Sequence, residues 1–385
     1  MQNRRILISG ASIAGPALAF WLHRHGFEVT VVEKAREVRP GGQAVDFKGP
    51  VHLAVLERMG ILDEVRAASV VEGDGILVNA AGKRIGVVPG EFAGGQINIP
   101  RGDLARILHA RTADTCEHLF DDTITSLVDG PDGVDVTFAR AEPRTFDLVI
   151  GADGIHSTVR RLAFGPEEDY VRHLGHYYVL ADIDAGDEDA MYNEPGRMIA
   201  LGGGKAPAFL VFASESLPAV GDDTAARKAQ VARAYAGGGW RIPELIDMIS
   251  AADSFHMDSI SRVTTDRFSS GRVALVGDSA YGNALGGYGT GLALVGAYVL
   301  AGELLGADGD HATAYAAYEE RFRGYSSVSQ KVNAGRLLAP ATRLGILARN
   351  TAFSTLALAA PLMRLVTRPA SAGLDLPDYE AAALR

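Results

Sequence analysis

With 385 residues, 47% of them apolar and 22% charged, the chain has the composition of a soluble globular protein large enough for two domains. Its 37 Lys and Arg against 47 Asp and Glu leave a net charge of -10, which argues against a nucleic-acid partner. The single cysteine, Cys116, excludes an intramolecular disulfide framework and has no histidine pattern around it, so no metal is expected; no secretory signal is visible, and the expected location is the cytoplasm.

The first strong pattern lies at residues 4–33. An apolar run, Ile6-Leu7-Ile8, ends in the turn Gly10-Ala11-Ser12-Ile13-Ala14-Gly15. Helical spacing follows, Gly26 closes it, and a second apolar run at 29–32 ends on Glu33. This order of strand, turn, helix and strand fits a dinucleotide fingerprint, in which the first glycine allows the turn and Gly15 lets the helix pack close to the strand. The helix start would offer unpaired amides and a partial positive charge to a pyrophosphate. Glu33 would accept from ribose hydroxyls. Ser12 stands where the motif's middle glycine usually is, and an ordinary βαβ unit with a glycine-rich turn would look similar.

Lys34 opens a charged connection to Gly41-Gly42, after which Gln43 leads a short strand-like run. Paired glycines there suit a plain turn or backbone passing close to something bulky. Residues 51–68 have helical spacing with a break at Gly60. Short strands are expected at 75–78, 84–88 and 96–99, then a helix at 104–112 with Asp103 at its start. Strands at 117–127, 134–138 and 146–150 are expected to return to the first sheet. The last runs into Gly151-Ala152-Asp153-Gly154 and a helix that Ser157 can cap, a second loop at the carboxyl end of a parallel strand.

From about Arg172 the texture changes. Strands at 177–183, 198–201 and 209–213 and helices at 224–236 and 243–251 read as a second domain whose sheet covers a cavity. Val179, Ala181 and Ile183 alternate there with Leu180, Asp182 and Asp184, as on a sheet with one wetter face. Tyr177, Tyr178, Asp182, Arg197, Phe209, Phe212 and His256 lie on this sheet or its edges. Of these, Tyr178, Arg197 and His256 are the candidates for catalysis, although a satisfied sheet histidine accounts for His256 more simply. The chain then returns to the first domain with an apolar strand ending in Gly277-Asp278, a glycine-rich loop, and an apolar helix from Leu292. Helices at 312–336 and 341–366 finish it, and the apolar residues at 289–307 and 351–363 read as buried or docking helices, not membrane spans.

Three strand-to-loop junctions (10–15, 151–154 and 277–291) suit one long dinucleotide lying across a sheet, with acids at the second and third. Together the segments GASIAG with Glu33, IPRGDL, DLVIGADGIHSTVR and RVALVGDSAY…GYGTGLALVGAYVLAGEL resemble the class A FAD-dependent monooxygenases of the para-hydroxybenzoate hydroxylase fold. Within that family the chain is similar to tetracycline-inactivating and polyketide-tailoring enzymes. The resemblance implies an α/β fold: a Rossmann-like FAD-binding domain (1–170 and 269–340), an α+β substrate domain (171–268) whose sheet covers the active site, and C-terminal helices (341–385).

By the same resemblance, Gly10, Ser12, Ile13, Ala14, Gly15, Glu33 and Lys34 would hold the adenosine and pyrophosphate of FAD, and Gln43 would belong to the same site. Arg101 would contact the flavin or its pyrophosphate, Asp153 would lie near the dinucleotide, and Asp278 would bond its ribityl or pyrophosphate portion. Gly289, Thr290 and Gly291 would place helix-start amides by the isoalloxazine. The implied chemistry is reduction by NADPH or NADH, formation of a C4a-hydroperoxyflavin with O2, and hydroxylation of a small hydrophobic, aromatic or polycyclic substrate. One departure is local: residues 281–287 lack the family's usual proline and run about one residue short. That loop leaves open an oxidase, a dehydrogenase or a redox-neutral flavoenzyme; a non-enzymatic nucleotide-binding protein would not need three such loops. The apolar C-terminal helix either docks internally or pairs with another subunit.

Overall fold

The computed structural model describes residues 2–70, 74–88, 95–186, 189–202, 208–218, 221, 223–363 and 374–379, without the side chains of 356–363. Part of the C-terminal segment 341–385 therefore lies outside the described residues.

Two sheets organise the molecule. The first has the order Ser269–Ser270, Val273–Leu275, Leu148–Gly151, Arg5–Ser9, Glu28–Glu33, Glu117–Phe120, and every neighbouring pair but the first is parallel. Its central strands read as unbroken apolar runs because both faces are covered: Ile6, Leu7, Ile8, Leu148, Val149 and Ile150 are fully buried. Helices Ala14–Arg24 and Gly289–Gly306 pack into the same core. The second of these is the one described helix long and apolar enough to cross a membrane, and 72% of it is buried inside the molecule.

The expected strand over 117–127 is broken. Residues 117–120 join the parallel sheet, but Asp121 turns at positive φ (58°), and the Asp122 carboxylate accepts the amides of Thr123, Arg140 and Ala141. That knot diverts Ile124–Gly130 into a separate antiparallel sheet with Gly133–Phe138 and Arg144–Phe146.

The second sheet has seven strands, in the order Phe255–Val263, Val171–Ala181, Ala208–Ala213, Arg197–Leu201, Ala190–Glu194, Gly75–Val78, Arg84–Val88. Two of them come from within residues 1–170, outside the 171–268 segment expected to build this sheet. They are recruited because Ala190–Glu194 ends the antiparallel series with a free edge, and Gly75–Val78 pairs to it in parallel. The outer face packs Val179, Leu210 and Phe212 against helices Thr224–Tyr235 and Ile242–Ala251. Alternation sends Tyr178, Met198, Phe209 and Val211 to the other face, beside Ala284 and Leu285 of the loop that follows Asp278. The inner face thus lies over the carboxyl ends of the parallel strands.

Residues 281–287 are held although they contain no proline. The Val263 amide donates to the Gly282 carbonyl (2.7 Å) and the Ala284 amide to that of Ser261 (2.9 Å). Asn283 donates to the carbonyls of Ser329 and Val332, and Gln330 to that of Tyr281. The covering sheet itself fixes this loop.

Candidate active site

The three junctions leave the carboxyl ends of adjacent strands, where an open parallel sheet binds its ligands. They touch one another. A Cβ on Gly10, whose φ is +106°, would meet the Ala152 carbonyl oxygen at 2.5 Å, and one on Gly15 would meet the Gly10 oxygen at 1.8 Å. Gly277 rests against Ala14 and Ala293. The Val276 amide and the Ser279 hydroxyl both donate to the Gly151 carbonyl. Arg160, fully buried, donates to the carbonyls of Ile155 and Ser279 and so ties the second loop to the third.

What the junctions present is suited to an anionic dinucleotide. Helix Ala14–Arg24 begins at Ile13 with neither a side-chain cap nor an acid in its first turn, and the same is true of Gly289–Gly306. By contrast Ser157, Asp223, Asp310 and Asn333 cap the helices that follow them. Two bare amide termini carry partial positive charge into one place. Glu33 accepts the amides of Ala11 (2.8 Å) and Ala35 (2.9 Å), one on each oxygen, which fixes the carboxylate at the strand end with acceptor capacity left on both oxygens. Arg101 donates from Nη2 to the Ser12 hydroxyl (3.0 Å), so the serine in place of glycine anchors a guanidinium over the first loop. The Gln43 carbonyl accepts the Arg101 amide (3.1 Å). Lys34 is exposed at the end of its strand.

The two acids differ. Asp153 is consumed by the fold: Ser157 and the amides of Thr158 (2.8 Å) and Val159 (3.1 Å) donate to it, as does Ser9. Asp278 is half-buried, and among the described residues none donates to its carboxylate. Burial pushes its pKa up, and only the Arg101 charge pulls it back. It lies beside Gly289. An orphaned carboxylate, two bare helix starts and a glycine cradle are what a dinucleotide with hydroxyls along its length would complete.

These features now have a counterpart among known proteins. A family model described as the FAD binding domain matches residues 3–307. A flavin-dependent monooxygenase of Legionella longbeachae is 33% identical over 344 residues, covering 86% of this chain and 88% of its own. The chain belongs to the class A FAD-dependent monooxygenase family. An FAD-dependent monooxygenase of Sarocladium schorii is 32% identical over 98% of the chain and 99% of its own length. The crystal structure of tetracycline destructase Tet(55) superposes with a TM-score of 0.81 at 32% identity, covering 98% of this chain and 99% of that one.

In this monooxygenase the candidate catalytic side chains separate. Tyr178 and His256 meet on the inner face of the covering sheet, Oη to Nε2 at 3.2 Å. Tyr178 packs beside Ala284 and Leu285 of the third junction's loop and feels the charges of Asp258, Arg101 and Asp278. Burial raises the pKa of its phenol and lowers that of His256, so both are neutral at pH 7, and the histidine's tautomer sets which of the two donates. Arg197 is elsewhere. It donates to Glu194 (2.7 Å) and to the carbonyls of Ala234 and Ala236, and its guanidinium lies over Tyr235 on the outer face. It therefore ties the sheet to its covering helix. Tyr177 and Phe212 stack on that outer face, whereas Phe209 lies inside. Asp182 is exposed just past the end of strand Val171–Ala181.

One side chain that ties these loops to the sheet carries no sequence signal. His156 sits between two carboxylates, Nδ1 to Glu167 at 2.8 Å and Nε2 to Asp258 at 3.2 Å, and so joins the second loop to the covering sheet. Hydrogen bonds to Asp258 and Glu167 raise its pKa to about 10. A histidine raised in the fold contributes stability that is complete below its unfolded pKa of about 6.5 and is lost as pH rises through its folded pKa. Melting temperatures from pH 7 to 11 should show a greater alkaline loss in wild type than in His156→Gln. The half-exposed ring limits the effect to about 1 kcal/mol after screening. Parallel curves would remove the clamp from the account.

Proposed function

We propose that this monooxygenase uses NADPH or NADH and O2 to hydroxylate a mid-sized aromatic or polycyclic substrate. The observation that carries the reading is the inner face of the seven-stranded sheet. Leu180, Met191, Ala200 and Phe209 are half-buried there, and Tyr178 with His256 forms a polar corner beside the Asp258 carboxylate. A flat apolar wall with a neutral hydrogen-bonding pair at one corner suits a planar substrate carrying a phenolic or carbonyl oxygen. The relatives' names run the same way, since one similar structure is a tetracycline destructase and a more distant one a p-nitrophenol 4-monooxygenase.

FAD, when bound and reduced, supplies the activation of O2. The chain's residues do the rest. The amides at 12–15 and Arg101 would hold the pyrophosphate, Glu33 the ribose, Asp278 the ribityl or pyrophosphate portion, and the amides of Gly289, Thr290 and Gly291 the negative charge of the reduced ring. The covering sheet and residues 281–287 exclude water from the space between them. Tyr178 and His256 orient the substrate oxygen.

The test is an absorption spectrum of the purified protein, taken before and after anaerobic NADPH and again on admitting air, with labelled O2 and a panel of polycyclic phenols. Flavin bands that bleach and return, with label in the product, support the proposal. Reoxidation that releases only hydrogen peroxide with every phenol replaces it with an oxidase, and flavin that neither nucleotide reduces replaces it with a redox-neutral enzyme. With a turned-over substrate, Tyr178→Phe should raise KM about tenfold and leave kcat nearly unchanged, as the loss of one neutral hydrogen bond used equally in ground and transition states. A fall in kcat at constant KM would instead make Tyr178 part of the chemical step.

A further inference from the structure

The helix start at Gly289–Gly291 has a buried side chain behind it that the reaction as described leaves unused. His52, in helix Gly49–Arg58, is 1% exposed. Its ring lies against the Gly291 backbone: a Cβ there would come within 2.1–2.5 Å of Cε1, Nδ1 and Nε2, so the two positions admit only a glycine with this ring beside it. The Lys48 amide donates to Nδ1 (3.1 Å), which places the proton of the neutral ring on Nε2. Burial and the Lys48 charge hold the pKa down at about 4, so the ring stays neutral in the physiological range. Among the described residues Nε2 has no partner, nor has the Tyr325 hydroxyl, whose ring stands edge-on to His52 at 6.4 Å.

Lys48 reaches the same loop from the other side. Its ammonium pairs with Asp46 (2.7 Å) and lies 5.4 Å from the centre of the Tyr288 ring. The turn from strand Ala44–Phe47 into its helix therefore grips residues 287–291 at two points, a cation on Tyr288 and a neutral ring beneath Gly291. A polar ring buried with its Nε2–H unpaired is not explained by packing, which a Leu or Phe would do without the penalty of an unmet donor.

We propose that His52 is a positioning residue: it fixes the backbone at Gly291, and with it the amides of the helix start, and thereby sets how strongly this chain favours reduced over oxidised flavin. The inference rests on the FAD assignment and on no particular substrate. Amides aimed at the developing negative charge stabilise the reduced ring, and a few tenths of an ångström of misplacement weakens them.

The experiment is the flavin midpoint potential, measured with a dye reductant so that neither NADPH nor substrate enters, in wild type, His52→Phe, His52→Gln and Gly291→Ala. His52→Phe and Gly291→Ala should bind FAD and shift the potential negative by at least about 30 mV, a tenfold change in the two-electron equilibrium. His52→Gln, which keeps a donor and an acceptor, should recover at least half of the shift. Potentials that agree across all four proteins overturn the inference, as does a shift that His52→Gln does not recover. Should His52→Phe fail to fold, Gly291→Ala perturbs the same contact from the other side and decides alone. Hydroxylation with unchanged potentials would leave the function standing and remove His52; shifted potentials without hydroxylation would do the reverse.

Discussion

Gly15→Ala should purify without FAD. The methyl group would stand 1.8 Å from the Gly10 carbonyl oxygen and 3.3 Å from Ile8 Cγ2. Neither neighbour can give way. The Gly10 carbonyl belongs to a turn held by the Gly10 amide donating to Val32 (2.7 Å) and by the contact of Gly10 with Ala152. Ile8 is fully buried in the sheet's core. Relief therefore requires the helix start at Ala14 to lift away from the strand by more than an ångström. Overpacking of this kind costs about 1–3 kcal/mol. It falls on the amides that would hold the pyrophosphate, so affinity should drop by about fivefold to 150-fold while the rest of the domain stays folded. The measurement is the ratio of flavin to protein absorbance after purification, with circular dichroism as the check on folding. Ser12→Gly is the contrasting variant: it restores the usual glycine, removes the hydroxyl that Arg101 donates to, and should retain the cofactor. A yellow, stoichiometrically loaded Gly15→Ala protein would sink the argument that close approach at this position makes the site.

The difference between these two positions shows what a sequence can and cannot carry. The first junction was legible because its requirements are local. A tight turn, a close helix and an acid at the next strand's end all fall within thirty residues, and each demands a particular residue type. The second and third junctions were legible for the same reason, as was the helix pair at 224–235 and 242–251. Partnership over long separation was not. Residues 75–88 read as strands but carry no mark of the sheet they join, since the pairing of Leu77 with Met191 depends on which edge lies free after folding. Arg197 followed a glycine in a hairpin and looked available to a substrate. Its donors are spent on Glu194 and on carbonyls of a helix some forty residues away. Asp153 and Asp278 occupy equivalent places in two similar motifs, yet one caps a helix and the other has no described donor. His156 and His52 gave no signal because each meets partners far along the chain: Asp258 for one, Gly291 and Tyr325 for the other.

That contrast between the two acids leads to an effect with opposite signs. Asp278→Asn should make the apoprotein more stable and the holoprotein weaker in FAD. In the fold without cofactor, the Asp278 carboxylate is half-buried, receives no hydrogen bond from a described residue, and feels only Arg101 as a compensating charge. Its raised pKa means that the folded state holds the proton more tightly than the unfolded chain does. Stability is therefore lost as pH climbs above the ordinary carboxyl range, and at pH 7 the charged group opposes folding. Asparagine keeps the shape and removes that charge, so the apo melting temperature at pH 7 should rise. With FAD bound, hydroxyls along the cofactor would donate to the carboxylate, and a hydrogen bond to a charged group contributes about 1.5–3 kcal/mol. Asparagine can return only part of this, which predicts FAD affinity lower by about tenfold to a hundredfold. Two measurements decide it: thermal melts of apoprotein across pH 4 to 8, and a flavin-fluorescence titration of each variant. An apo melting temperature that falls in Asp278→Asn, together with unchanged FAD affinity, would mean that the acid serves the fold. The pattern expected here belongs to a residue whose partner is the cofactor, since an acid retained for the fold would lose stability when its charge is removed, and this one should gain it.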